Sequence, residues 1–334
     1  MRWKTYWGTA SGVIVLICLI LDSSCTAKAA YDGLILCIRT IIPSLFPFFV
    51  VSSYLSGRIC QIKLPGMWIL EKCCRIPKGS GLLVINGLLT GYPIGARSVY
   101  EEFHAGGLSE EDATRMLGFC SNAGPAFIFG IAGSMFEERA VPWMLWLNQI
   151  ISAILTGWMI PGNSVGTCTK TRHTRSLPEC VKKSVETAGV VCGWIIVFKI
   201  LIDFLNRWCL FFLPGIIRIT ISGLLELSNG CISILEISSP SVRYLVCNSL
   251  LTAGGLCVWM QTKSAVGNLN TFWYIRGKII QNIFSFLLGS ITMKMLFQNE
   301  KPIFLESYII ISFLVVPFIF LIQKRSSNFK GTNV

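Results

Sequence analysis

The chain has 334 residues, of which 53% are hydrophobic and only 14% charged, and it carries a formal net charge of +12. Ordinary soluble domains have about a quarter of their residues charged, so this composition, with a mean hydropathy of +0.62, excludes a soluble globular fold. The positive charge falls in short clusters between apolar runs, a pattern that marks membrane topology rather than a nucleic-acid surface.

A spanning helix needs roughly 20 apolar residues. Runs of that kind predict an all-α polytopic protein with eight spans, over 5–21, 31–55, 113–133, 141–160, 185–205, 243–260, 272–296 and 303–322. Shorter apolar pieces at 81–89 and 210–234 read as arms of two re-entrant hairpins. The first run follows Arg2 and Lys4 and precedes Ala27-Lys28-Ala29, so segment 1–30 reads either as a retained helix or as a removable signal peptide. Segment 58–78, interrupted by Leu64-Pro65-Gly66, reads as an amphipathic element on the cytoplasmic surface. Ser109 followed by Glu110, Glu111 and Asp112 is an N-cap with an acidic first turn, a structural signal rather than a catalytic one.

Basic residues concentrate at Arg2 and Lys4, between Arg58 and Lys78, between Lys170 and Lys183, and at Lys324, Arg325 and Lys330. The positive-inside bias makes these segments cytoplasmic. With eight spans and both termini inside, the first hairpin enters from the cytoplasm and the second from the opposite face. The chain then divides into an N-terminal helix (1–30), a first repeat (31–161), a basic cytoplasmic linker (162–183), a second repeat (184–298) and a C-terminal helix with a basic tail (299–334). On this topology Cys168 and Cys180 are expected to react with an impermeant thiol reagent from the cytoplasmic side alone.

Three internal echoes support the duplication. GYPIGARSV from Gly91 returns in degenerate form as ELSNGCISI from Glu226, AGPAFIFGI from Ala123 as AGGLCVWMQ from Ala253, and LILCIR ending at Arg39 as WIIVFK ending at Lys199. Their shared order predicts two repeats of inverted topology, each with a span, a hairpin, a broken span and a further span. Non-helical backbone at membrane depth is tolerated where protein or an aqueous cavity receives it, so matched breaks point to one central site.

The cysteines are scattered through apolar segments without metal or redox spacing, and His104 and His173 lie far apart in polar segments. No metal, cofactor or enzymatic chemistry is expected; HExxH and P-loop motifs are absent from the sequence. Trp3, Trp7, Trp143, Trp158, Trp208 and Trp273 fall near span ends, as an interfacial belt requires.

LFPFF at Leu45 to Phe49, GYPIGARSV, CSNAGPAFIFG, LLELSNG and AGGLCVWMQ together resemble the sporulation integral membrane proteins of the YlbJ or SpoVV type. Those are similar to nucleoside-recognition (Gate-domain) membrane proteins and to concentrative nucleoside transporters. The resemblance runs from about Tyr31 to Leu296. It implies a protein of an endospore-forming bacterium, in the outer forespore membrane or the cell membrane, that moves dipicolinic acid from the mother cell towards the forespore.

A pyridine dicarboxylate at the bilayer midplane needs hydrogen-bond donors and positive potential, which the N-terminal ends of broken helices supply. Gly91, Pro93 and Gly95 are the expected break in the first repeat, and Ser228, Asn229 and Gly230 in the second. Ser121, Asn122, Thr252 and Gln261 add neutral donors beside the second pair of breaks. Arg97 is the leading cation, with Arg39 and Lys199 as further charge compensation, although Asp203 offers Lys199 an ordinary i,i+4 partner. Glu226 either couples a proton or sodium ion, pairs with a cation, or contacts substrate; Glu236 and Glu306 are weaker candidates. The expected partners are a small anionic substrate and the lipid bilayer, with a coupling ion, a homo-oligomer and sporulation membrane partners left open. A nucleoside or other small-metabolite carrier and a non-transporting assembly factor remain as alternatives.

Overall fold

A computed structural model describes residues 13, 16–59, 65–162, 166, 168 and 175–297, and these form an all-helical structure. The predicted spans 303–322 and most of 5–21 lie outside the described residues, as do Glu306 and His173. Four described helices are long and apolar enough to cross a membrane: Ser23–Leu55, Leu177–Trp208, Pro240–Ala265 and Phe272–Leu296.

The first is built from α1 (Ser23–Leu36), a π-helical turn (Cys37–Ile41) and α2 (Ile42–Ile59). The widened turn has a local cause. Pro43 has no N–H to offer the carbonyl four residues back, and the Ile42 N–H bonds to Cys37 O instead. After α3 (Met67–Cys74), α4 (Gly81–Thr90) and α5 (Ile94–His104) form a helical hairpin. Next comes α6 (Glu110–Met116), capped as expected by Ser109, whose hydroxyl accepts from the Asp112 N–H at 3.1 Å.

The predicted span 113–133 is not one helix. Non-helical backbone precedes α7 (Pro125–Phe127), which continues as a π turn (Ile128–Ala132) and a 3-10 turn (Gly133–Met135). Gly124 is extended and Pro125 opens the new helix, so the break follows from the AGP sequence. The next span, α8 (Val141–Met159), is 19 residues long and is not among the four strongly apolar helices. The reason is a buried polar stripe of Asn148, Gln149, Ser152 and Thr156.

Helix α9 (Leu177–Trp208) has 32 residues, about 48 Å, and so overruns a hydrocarbon core about 30 Å thick. It begins inside the segment expected to be a polar linker, because the Glu179 carboxylate folds back to accept the Ser176 N–H at 2.9 Å. A second hairpin follows, α10 (Gly215–Leu225) and α11 (Leu227–Ser233), joined at Glu226. Helices α12 (Pro240–Ala253) and α13 (Gly255–Ala265) are the halves of one span broken at Gly254, which takes a left-handed φ of 70°. The last described helix is α14 (Phe272–Leu296), with the bounds expected from sequence.

The α12–α13 span is 61% buried and therefore central, whereas α14 and the α1–α2 span are each 17% buried and peripheral. On α14 the exposed residues Ile283, Leu287, Ile291 and Met295 recur every four residues, an apolar stripe suited to lipid. Its opposite face is polar. There Gln149 donates to Thr252 at 2.7 Å, Thr252 bonds Ser285 at 2.7 Å, and Asn248 donates to Ser285 Oγ at 2.9 Å. Asn148 reaches Tyr244 at 3.0 Å, and Tyr244 shares a 2.7 Å bond with Thr292. Hydrogen bonds of this kind hold α8, α12 and α14 together where the hydrophobic effect gives helices no reason to associate.

Candidate functional site

The two hairpins are closed by glycine. A Cβ on Gly95 would lie 2.8 Å from the Gly87 Cα and 2.1 Å from the Cys120 carbonyl oxygen, so α4, α5 and the chain preceding α7 meet backbone to backbone. In the second hairpin a Cβ on Gly230 would lie 2.3 Å from the Gly223 Cα. Each hairpin end also touches a helix break. Gly91 abuts Gly124, with a would-be Cβ 2.6 Å from the Gly124 nitrogen, and Gly255 abuts the Leu224 carbonyl at 2.8 Å. Tyr92 ties the first hairpin to the second broken helix through a 3.2 Å bond from its hydroxyl to Leu251 O.

Between these elements lies a small cavity of about 40 Å³, room for a few water-sized groups and too small in this conformation for a whole metabolite. Hairpin residues Thr90, Gly91, Tyr92, Glu226, Leu227 and Ser228 line it. The first break contributes Gly124 and Phe127, α13 contributes Gln261, and the π turn contributes Ile41. Of the residues expected from sequence, Gly91, Glu226, Ser228 and Gln261 thus share one chamber.

Others are placed differently. Gly95 and Gly230 pack inside the hairpins, and Pro93 follows the cavity-lining Tyr92 without itself lining the chamber. Thr252 belongs to the polar seam against Ser285. Ser121 is buried with its hydroxyl unpartnered, and Asn122 points its side-chain oxygen at α14. Arg39 is exposed, Lys199 is half-buried, and Glu236 is exposed. The expected Lys199–Asp203 pair does not form: Asp203 accepts from Arg207 at 3.4 Å, and Arg207 also binds Asp22 at 2.6 Å.

Two expectations need correction. The first concerns the open helix N-terminus at Ser228 and Asn229. Glu226 already caps it, accepting from Ser228 N at 2.9 Å, Asn229 N at 2.7 Å and Asn229 Nδ2 at 2.8 Å. A carboxylate two and three residues away outcompetes any diffusing ligand for those donors. The second concerns Arg97, which lies outside the cavity. Its guanidinium bonds Glu101 at 3.2 Å and Thr187 at 2.9 Å, in a smaller pocket where Arg175 and Lys183 also reach Glu101. Arg97→Gln should accordingly loosen α5 from α9 rather than weaken substrate affinity.

The sequence reading missed Lys278. This residue on α14 is 3% exposed, and its ammonium donates to Asn122 Oδ1 at 3.2 Å and Gln281 Oε1 at 2.9 Å. It stands 5.0 Å from the centre of the Tyr92 ring. The signal was present: Lys278, Gln281 and Ser285 recur at helical spacing and define a buried polar face within an apolar run.

Cys180 is fully buried on α9, whereas Cys168 is partly exposed. In right-side-out and inverted vesicles of a variant retaining only these two cysteines, Cys168 should be labelled from the cytoplasmic face and Cys180 should stay silent. Labelling of Cys168 from the outer face would overturn the topology.

Fold and site together define an all-helical integral membrane protein whose hairpins and broken helices converge on a buried cavity. The chain is similar to the sporulation integral membrane protein YlbJ of Bacillus subtilis (strain 168), with 25% identity over 204 residues. That similarity covers 52% of this chain and 50% of the relative, so the chain spans about half the length of the curated protein it matches. No protein-family model matches the chain, and no solved structure is significantly similar to it.

Proposed function

We propose that this chain acts in sporulation as a membrane carrier for a small anionic metabolite, with dipicolinic acid as its substrate. The observation that carries this reading is the convergence on one cavity of both hairpin ends, the first helix break and the half-helix α13 that follows the second. Carriers place their sites where discontinuous helices meet near the midplane. The glycine crossings Gly87–Gly95 and Gly223–Gly230 support two inverted repeats, since the equivalent close approach recurs about 135 residues apart in hairpins of different sequence. Tyr92 and Phe127 offer ring faces to a flat aromatic substrate, and the similarity to the Bacillus protein supports a sporulation membrane.

The cavity carboxylate of Glu226 favours a second reading, a nucleoside carrier, because an acidic hairpin residue suits neutral ligands rich in hydroxyl groups. Proteoliposome uptake separates the two. Purified protein should give saturable dipicolinate movement that uridine inhibits poorly. Uridine transport without dipicolinate flux under any imposed ion gradient would select the nucleoside carrier, and flux of neither would select a non-transporting assembly role.

A further inference from the structure

We propose that Lys278 is the charge-selecting residue of the cavity, recognising the second carboxylate of a dianionic substrate once the Tyr92 ring moves aside. This inference rests on the carrier reading and adds to it the group that distinguishes two carboxylates from one.

An ionised lysine within a span costs at least about 2.5–3.5 kcal/mol at the helix centre, so an ordinary packing role does not explain it. Among the described residues no carboxylate pairs with Lys278; its ammonium donates to the neutral oxygens of Asn122 and Gln281. An ammonium has three donors, and two are accounted for. Aromatic rings of Tyr92 and Tyr274, at 5.0 and 5.9 Å, cover the ammonium without neutralising it. Tyr92 also lines the cavity, so one residue contacts both the ammonium and the chamber.

Two further observations point the same way. Glu226 is the carboxylate in the chamber; its oxygens bond the start of α11 and none of them bonds Lys278. The hydroxyls of Thr90, on the cavity wall, and Ser121, beside Asn122 in sequence, are buried without partners. Buried hydroxyls of that kind are costly unless something accepts their protons. Their combination with an uncompensated ammonium is the donor set a carboxylate requires. Tyr92 is placed to act as the shutter: its hydroxyl makes one 3.2 Å bond, and it follows Gly91, whose φ of 78° gives the hairpin end a conformation open to glycine.

The test compares equilibrium binding of pyridine-2,6-dicarboxylate and pyridine-2-carboxylate to purified full-length protein in detergent. Wild type should prefer the dicarboxylate by at least about tenfold. Lys278→Gln retains an amide for Asn122 and should lose that preference while binding the monocarboxylate within about twofold of wild type; Lys278→Arg should keep most of it. Undiminished preference in Lys278→Gln overturns the proposal and leaves the carrier reading standing. A wild type that binds both ligands equally overturns it without any variant, which covers the case in which Lys278→Gln does not fold. A wild type that binds neither overturns the carrier reading and this inference together.

Discussion

Gly95→Ala should abolish function while leaving insertion into the membrane intact. The added methyl carbon would sit 2.1 Å from the Cys120 carbonyl oxygen and 2.8 Å from the Gly87 Cα. Both obstacles are backbone, so no rotamer change relieves them, and the hairpin arms must separate. Overpacking of a closed contact costs typically 1–3 kcal/mol, and backbone obstacles place this one at about 3 kcal/mol or more. Gly230→Ala should do the same in the second hairpin, where the clash with the Gly223 Cα is at 2.3 Å. Insertion is read from the long apolar spans, which the substitutions leave unchanged. Membrane-fraction yield should therefore stay near wild type, while the thermal midpoint falls and, on the proposed carrier reading, dipicolinate flux drops below about a tenth. Gly189→Ala on α9, where nothing lies within 4 Å of the new carbon, is the control and should be neutral or slightly stabilising. Normal flux in both hairpin variants would remove the hairpins from the working site.

Arg115→Leu should be the most damaging change outside the hairpins. Arg115 is 3% exposed and donates to Cys74 O at 2.9 Å, to Ile160 O at 3.5 Å and to Arg75 O. Those carbonyls close the C-terminal ends of α3 and α8, where helix dipoles favour a cation. Leucine would leave them buried and unpaired, a loss on the order of 3 kcal/mol for hydrogen bonds to a charged group. Lysine should recover only part of it, because one ammonium cannot span the fork of a guanidinium. Gly162→Ala should give a milder version of the defect, since its Cβ would meet the Arg115 Cζ at 2.4 Å. Unfolding of purified protein by temperature measures the order expected: Leu worst, then Lys and Gly162→Ala, then wild type. A leucine variant as stable as wild type would show that the carbonyls find other donors.

Local signals made much of the helical order legible. Val141–Met159 and Phe272–Leu296 match the expected spans closely, because long apolar runs punctuated by Pro, Gly and polar turns leave a chain at membrane depth one option, the helix. The breaks at Gly91, Gly124 and Gly254 were legible for the same reason in reverse: Gly-Tyr-Pro, Ala-Gly-Pro and Ala-Gly-Gly disfavour a continuous helix. The start of α9 was readable too, since Ser176 and Glu179 have capping-box spacing, but the basic linker around them masked it.

What side chains do with their charge was not legible. Arg97 follows a break by a few residues, yet each helical residue turns its side chain about 100° from the last, and proximity in sequence does not say which neighbour it meets; it meets Thr187, on a helix that begins 80 residues later. The sequence leaves Glu226 open to ion coupling, pairing with a cation or substrate contact, and only its φ of −141° and the turn into α11 bring Ser228 and Asn229 onto it. Lys278 was averaged into an apolar run, whereas contact between Gly277 and Gly118, with a would-be Cβ 2.1 Å from the Gly118 carbonyl, sets it beside Asn122. Composition, periodicity and local Gly-Pro signals, which are properties of the chain and its solvent, determined by themselves that this protein is helical, membrane-embedded and broken near Gly91, Gly124 and Gly254. Only the tertiary structure decided which charges are compensated and which face the cavity, because that depends on contacts between distant segments, 90 residues apart for Arg97 with Thr187 and 156 for Lys278 with Asn122.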